Sequence, residues 1–263
     1  MSRRRWRGML DQWSLLLRNV GEWRGSFDTF DSELQLKKRQ PSVLSLEQAE
    51  AGVPINLRLL FWPDNPPQHH DPFQGEPVRQ INQSFYQPDD ALTFFPTGSF
   101  SRGTFQVAPW SRVITEFCCL FQDRRHRLVL TWDASGRFDN AVLIREFRAG
   151  SMAVHQSALC VTDLVGAWQG EEVAVSRPCG AFPSEMVREP CHLHLDAAEL
   201  QDFRALSDGG GFRAPVQVSH CEPFLVEMFW LSGPDRLEVL QRQYDSGGGS
   251  AIMRQKVLHR VVR

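Results

Sequence analysis

The sequence predicts an all-β fold, a tandem of two antiparallel β-barrels, each preceded by a short helix. Three observations carry that expectation. A Gly-x-Trp-x-Gly pattern occurs twice, as Gly21-Glu22-Trp23-Arg24-Gly25 and Gly166-Ala167-Trp168-Gln169-Gly170. Each copy follows a short apolar segment and opens alternating, strand-like sequence. Further short alternating runs then recur between Gly-, Pro- and Asp-rich turns, with little helical periodicity between them.

Taken in order, Met9, Trp13, Leu16, Leu17 and Val20 fall at i, i+4, i+7, i+8 and i+11, the apolar stripe of an amphipathic helix. Gly21 is placed to cap its C-terminal end. Strands are expected at 22–30, 55–61, 111–120, 128–132 and 141–148. The order restarts with a helix-like segment at 159–165, a strand at 167–175 and another at 224–231. Turn residues mark 133–136, 207–211, 232–235 and 246–249.

The duplication extends beyond the tryptophans. Residues 113–117 resemble 224–228 at an offset of 111, while 126–128 resemble 235–237 and 143–145 resemble 252–254 at 109. The motif copies themselves are 145 apart. The first copy therefore carries extra residues, most economically at 37–90, where the Pro-rich run from Trp62 to Pro72 reads as a long loop. A boundary near 149–158 divides the chain into a first barrel, 1–150, and a second, smaller one, 151–263.

With 29 basic against 31 acidic residues and a net charge of −2, nothing global favours nucleic acid or an anionic membrane as partner. The basic run at 3–7 reads as a solvated tail. No apolar run approaches the ~20 residues of a transmembrane helix, and the stretch before Asp11 lacks the apolar core of a secretory signal. Six cysteines without a CxxC motif fit reduced thiols in a cytoplasmic protein.

The segment from Leu15 to Phe27, followed by Pro41-Ser42-Val43-Leu44-Ser45-Leu46, resembles a family of cyanobacterial and plastid proteins with lipocalin-like, calycin-superfamily folds. The resemblance implies the barrel but no particular chemistry. A more distant similarity, of fold only, is to the S-type phycobiliprotein lyases, which hold an open-chain bilin and deliver it to a cysteine of an acceptor protein. In lipocalin-like barrels such a Trp closes one end beneath an Arg of the last strand. The resemblance thus makes Trp23 and Trp168 barrel-closing residues. Arg145 and Arg254 are the aligned partners; Arg148 and Arg260 fill the role in an alternative register.

Candidate ligand-binding residues are Glu116, Arg145, Phe117, Trp110 and Phe105. Glu116 and Glu227 occupy matching places in apolar strands; facing the lumen, either would meet a ligand's polar group, and facing outward it would be solvated. The aromatic residues around 94–121 either line an apolar cavity or fill it. His192 and His194 share a strand face but no third metal ligand is signalled nearby, and His69-His70-Asp71 sit in the Pro-rich loop, where a mobile polar loop is the default reading, so no metal is assigned. No nucleophile elbow, triad or phosphate loop occurs, and Cys118 and Cys119 lack an activating neighbour, so no catalytic residue and no cofactor are assigned.

The functional expectation is a non-catalytic binding protein for an apolar small molecule (bilin, carotenoid or lipid) or for a protein partner. The alternatives are a bilin lyase or pigment-maturation factor, and a scaffold whose barrels are both filled.

Overall fold

The computed structural model describes residues 12–49, 54–65, 71–87, 89, 91–176 and 186–261. Residues 12–16 are helical and pass into a 3-10 turn at Leu17–Asn19. The start of the expected helix, Met9 included, lies outside the described residues. Gly21 is not a cap beyond this helix: Val20 closes the turn by donating to the Leu17 carbonyl, and Gly21 begins the first strand at φ +128°. The second helix-like segment shrinks to a 3-10 turn at Val161–Asp163, too short a stretch for cooperative helix formation.

Among the described residues sixteen strands follow: β1 (Gly21–Asp31), β2 (Leu36–Gln48), β3 (Ile55–Phe61), β4 (Arg79–Phe85), β5 (Leu92–Phe94), β6 (Phe100–Gly103), β7 (Val113–Phe121), β8 (Arg124–Trp132), β9 (Phe138–Arg148), β10 (Gly166–Ser176), β11 (Val187–Leu195), β12 (Arg204–Ala205), β13 (Gly210–Arg213), β14 (Phe224–Gly233), β15 (Arg236–Tyr244) and β16 (Ser250–Arg260). They form two antiparallel, barrel-like sheets, ordered β4-β3-β2-β1-β9-β8-β7-β6-β5 and β11-β10-β16-β15-β14-β13-β12. The orders superimpose strand for strand except that the first sheet adds β3 and β4, which fall inside the interval expected to hold its extra residues.

Side-chain alternation sorts the apolar residues into three cores. Inside the first sheet, Leu15 and Leu16 plug the space between Trp23, Leu44, Ile55, Phe94, Phe100 and Leu120. Inside the second, Leu159 and Leu164 do the same beside Trp168, Phe229, Leu237 and Leu258. The third and largest core lies between the sheets, where the outer faces of β7–β9 meet those of β10 and β13–β16 through Phe117, Leu128, Trp132, Met228, Trp230 and Tyr244.

Buried polar ties cross this junction. Asp208, in the turn before β13 at φ +60°, receives Arg124 at 2.5 Å and the Gln156 amide at 2.7 Å, with His126 and His155 each 3.6 Å away. Burial raises the Asp208 pKa, but the two imidazoles and the amide N–H override it and hold the carboxyl far below its ordinary range. Farther along, Glu238 accepts from Ser99 at 2.5 Å, and Arg242 donates to the Gly103 and Thr104 carbonyls. Pairing of this kind is what permits charges inside a core.

Candidate functional site

The registers fix which residues of the two copies correspond. Trp23 pairs with Arg148, and Trp168 with Arg260; Gly25 pairs with Glu146, and Gly170 with Leu258; Arg125 pairs with Glu146, and Leu237 with Leu258. The last two strands therefore correspond at an offset of 112, and the short matches at 109 are three residues out of register. This corrects the barrel-closing arginine. Arg260 lies over Trp168, with its guanidinium carbon 4.2 Å from the ring centroid. Arg254 instead bonds Gln243 at 3.0 Å and approaches Glu172 at 3.5 Å. Arg148 takes the equivalent place over Trp23 at 4.4 Å.

Correspondence also exposes a chemical difference. Within the first barrel, Arg125 donates to Glu146 at 2.7 Å, and Arg127 joins Glu146 at 3.2 Å to Glu116 at 3.3 Å. Arg125 also lies 4.7 Å from the Trp23 ring centroid, as Arg148 does at 4.4 Å. In the second barrel the places of Arg125, Arg127 and Glu146 hold Leu237, Val239 and Leu258, all part of an apolar core. Burial pushes the Glu146 pKa up, but the two guanidiniums outweigh it and leave it below its ordinary value. Glu116 is the half-buried end of the network. Arg125 is 3% exposed, yet its Nη2 has no hydrogen-bond partner, an expensive state for a buried donor.

Around these charges the wall is apolar and incompletely covered. Phe27, Leu57, Ile81, Phe85 and Leu92 point inward but stay half-buried. β4 and β5 are the two free ends of the first sheet, so no described pairing closes the wall between them.

A separate cavity of about 620 Å³ lies on the outer face of β1, β2 and β9, walled by Pro41, Phe73, Phe147 and the segment 149–155, with Arg24, Arg39, Arg145, Arg148 and His155 on its lining. Asp28 sits beneath it, wholly buried, and accepts from Arg39 at 2.9 Å and Arg145 at 2.6 Å.

The five ligand-binding candidates are thus distributed over different surroundings. Glu116 faces the first lumen and Arg145 the outer cavity, while Phe117 is buried between the sheets. Trp110 is 86% exposed at φ +60° and Phe105 is 41% exposed, so neither stands in a lumen wall. Glu227 faces the second lumen, held by Arg213 at 2.7 Å and Gln241 at 2.6 Å. His192 and His194 are exposed, His69 and His70 lie outside the described residues, and among the described residues no cluster of three metal-ligating side chains occurs. Cys118 and Cys119 point into different cores, and burial raises both thiol pKa values. Arg125 and Arg127 were not among the candidates because the expected strand began at Leu128, whereas β8 begins at Arg124.

Fold and lumen define a two-barrel all-β protein in which the first lumen carries the Arg125–Glu146–Arg127–Glu116 network and the second a smaller Arg213–Glu227 pair. Residues 9–151 match the family described as "Domain of unknown function (DUF3598), N-terminal". The chain belongs to the DUF3598 family. The crystal structure of a DUF3598-family protein of unknown function from Nostoc punctiforme is similar, with a TM-score of 0.77 and 25% identity, covering 95% of this chain and 99% of that one. The S-type phycobiliprotein lyase from Guillardia theta matches at a TM-score of 0.35 and 16% identity, over 52% of this chain and 92% of its own, a score too low to support an argument. No curated protein matches. Among the described residues no helix is long and apolar enough to cross a membrane.

Proposed function

We propose that the protein binds a small molecule with an elongated apolar body and an acceptor oxygen, that residues 1–150 form the binding unit, and that residues 151–263 support it. One observation carries this reading: the first lumen holds Arg125, Arg127 and Glu146 where the second holds Leu237, Leu258 and Val239. Buried ion pairs are rarely worth more than well-packed apolar residues, and the second copy shows that this scaffold accepts the apolar set. The network is therefore accounted for by what it offers a ligand.

Glu116 is already paired with Arg127, so the unsatisfied group is a donor, Arg125 Nη2. A carbonyl or carboxylate oxygen complements it; a ligand amine does not. The half-buried wall and the free edges of β4 and β5 leave a side entrance for the apolar body. Titrating the protein with a bilin, a carotenoid and a long-chain fatty acid, read by ligand absorbance and tryptophan fluorescence, tests the reading. It requires one saturable site per chain for at least one class, and saturation by none rejects it.

A further inference from the structure

The outer cavity has no part in the lumen reading, and its chemistry is different. Of the fifteen residues lining it, four are arginines, one is histidine and none is acidic. They converge from separate elements: Arg24 on β1, Arg39 on β2, Arg145 and Arg148 on β9, and His155 in the segment that follows. Arg145 is the deep member, its side chain 11% exposed, while Arg24 and Arg39 stand at the rim, 54% and 47% exposed.

Asp28 fixes this arrangement without neutralising it. Its single carboxylate serves both Arg39, through Nε and Nη2, and Arg145, through Nη2, and it is itself wholly buried. Two guanidiniums against one carboxylate leave a positive surplus, while Arg24 meets Glu22 through Nε at 2.7 Å and Arg148 meets Asp123 at 3.3 Å. Each guanidinium carries five donors, and Arg145 Nε is buried with no hydrogen-bond partner. The remaining lining is flat and apolar, from Pro41, Phe73 and Phe147, with the His155 ring centroid 4.5 Å from that of Phe147. At about 620 Å³ the space suits a small organic molecule.

The scaffold does not demand these residues. At the corresponding register positions of the second sheet, Arg24, Ser26, Asp28 and Arg145 become Gln169, Glu171, Val173 and Val257. Arg39 and Arg148 keep cationic counterparts in Arg188 and Arg260, whereas Arg24, Arg145 and the buried carboxylate between Arg39 and Arg145 belong to the first copy alone.

We infer that this cavity is a binding site for a phosphate monoester of a flat organic molecule, with the phosphate among Arg24, Arg39 and Arg145 and the ring system against Phe73 and Phe147. A planar carboxylate is satisfied by one guanidinium fork. Donors arriving from three strands in different directions match a tetrahedral dianion better.

Calorimetric titration of the full chain with phenyl phosphate, inorganic phosphate, benzoate and benzyl alcohol tests this. Phenyl phosphate binds saturably at one site, more tightly than inorganic phosphate or benzoate, and benzyl alcohol gives no saturable heat. Arg24→Gln and Arg39→Gln together weaken phenyl phosphate by about tenfold or more, with an unchanged circular dichroism spectrum because both side chains stand at the rim. Arg188→Gln, which removes an exposed cation from β11 of the second sheet, leaves the affinity unaltered. The inference is overturned if phenyl phosphate fails to saturate, if the double variant binds it as well as the parent, or if benzoate or benzyl alcohol binds equally tightly.

Discussion

Arg148 and Trp23 act as one clasp: the guanidinium lies 4.4 Å over the indole, its Nη1 donates to the Val20 carbonyl at 2.9 Å, and the indole N–H donates to the Asn19 carbonyl at 2.8 Å. Arg260 and Trp168 repeat it, at 4.2 Å over the ring, 3.0 Å to the Val165 carbonyl and 2.8 Å to the Leu164 carbonyl. Both clasps pin a short helical segment against the first strand of their sheet. Arg148→Leu and Arg260→Leu are each expected to lower unfolding free energy by about 1–2 kcal/mol, whereas Arg254→Leu lowers it by less. Urea denaturation of the three variants checks the order.

The glycines of the repeated motif make a sharper prediction. A Cβ on Gly25 would sit 1.8 Å from the Arg145 carbonyl oxygen, and one on Gly170 2.0 Å from that of Val257. Backbone cannot retreat as a flexible side chain can. Gly25→Ala and Gly170→Ala should each destabilise by about 4 kcal/mol or prevent folding, while Gly233→Ala, with nothing within 4 Å, stays within about 0.5 kcal/mol of the parent. Soluble yield and thermal melting separate these outcomes.

Glu146 holds two buried guanidiniums, so Glu146→Leu alone strands Arg125, leaves Arg127 with Glu116 only, and should destabilise by about 3 kcal/mol. Replacing Arg125, Arg127 and Glu146 together by Leu, Val and Leu, the second barrel's own choice, should recover most of that loss. A single substitution as stable as the parent would show that the network contributes nothing to folding.

Acid sensitivity should arrive in two stages. Burial lowers the His126 pKa, helped by Arg145 and Arg124 and opposed by Asp208. Below the unfolded value of about 6.5 the unfolded chain therefore holds more protons, and stability falls as pH drops. The depressed Asp208 carboxyl adds stability above its unfolded value of about 3.9, and that contribution is lost as pH falls below it. His126→Phe should flatten the first stage and also shrink the second, because His126 is one of the two imidazoles that depress Asp208. Melting temperatures from pH 8 to pH 3 read both; a variant with the parent's slope near pH 6 contradicts the assignment.

The architecture was legible because Gly-x-Trp-x-Gly and the alternating runs are local signals. Where pairing depends on distant strands, local signals failed. Leu143-Ile144-Arg145 and Ile252-Met253-Arg254 look alike, yet three residues of slippage separate them from the true correspondence, which Trp23 and Trp168 fix through Arg148 and Arg260. Phe117 read as a lumen residue because alternation shows that a strand has two faces without naming which is inside. Here both faces of β7 are buried, the outer one by the second sheet. Arg125 and Arg127 fell before the expected strand start at Leu128, and only the register with Glu146 places them in the lumen.

The central claim is that the first barrel binds a ligand through Arg125. Its most direct test is equilibrium titration of the parent and of the Arg125→Leu/Arg127→Val/Glu146→Leu variant with whichever bilin, carotenoid or fatty acid the parent saturates. Prior denaturation must show that the variant is folded. Saturable binding by the parent, weakened about tenfold or more in the variant, is the predicted result. Equal affinities, or no saturation of the parent by any of the three, would contradict it.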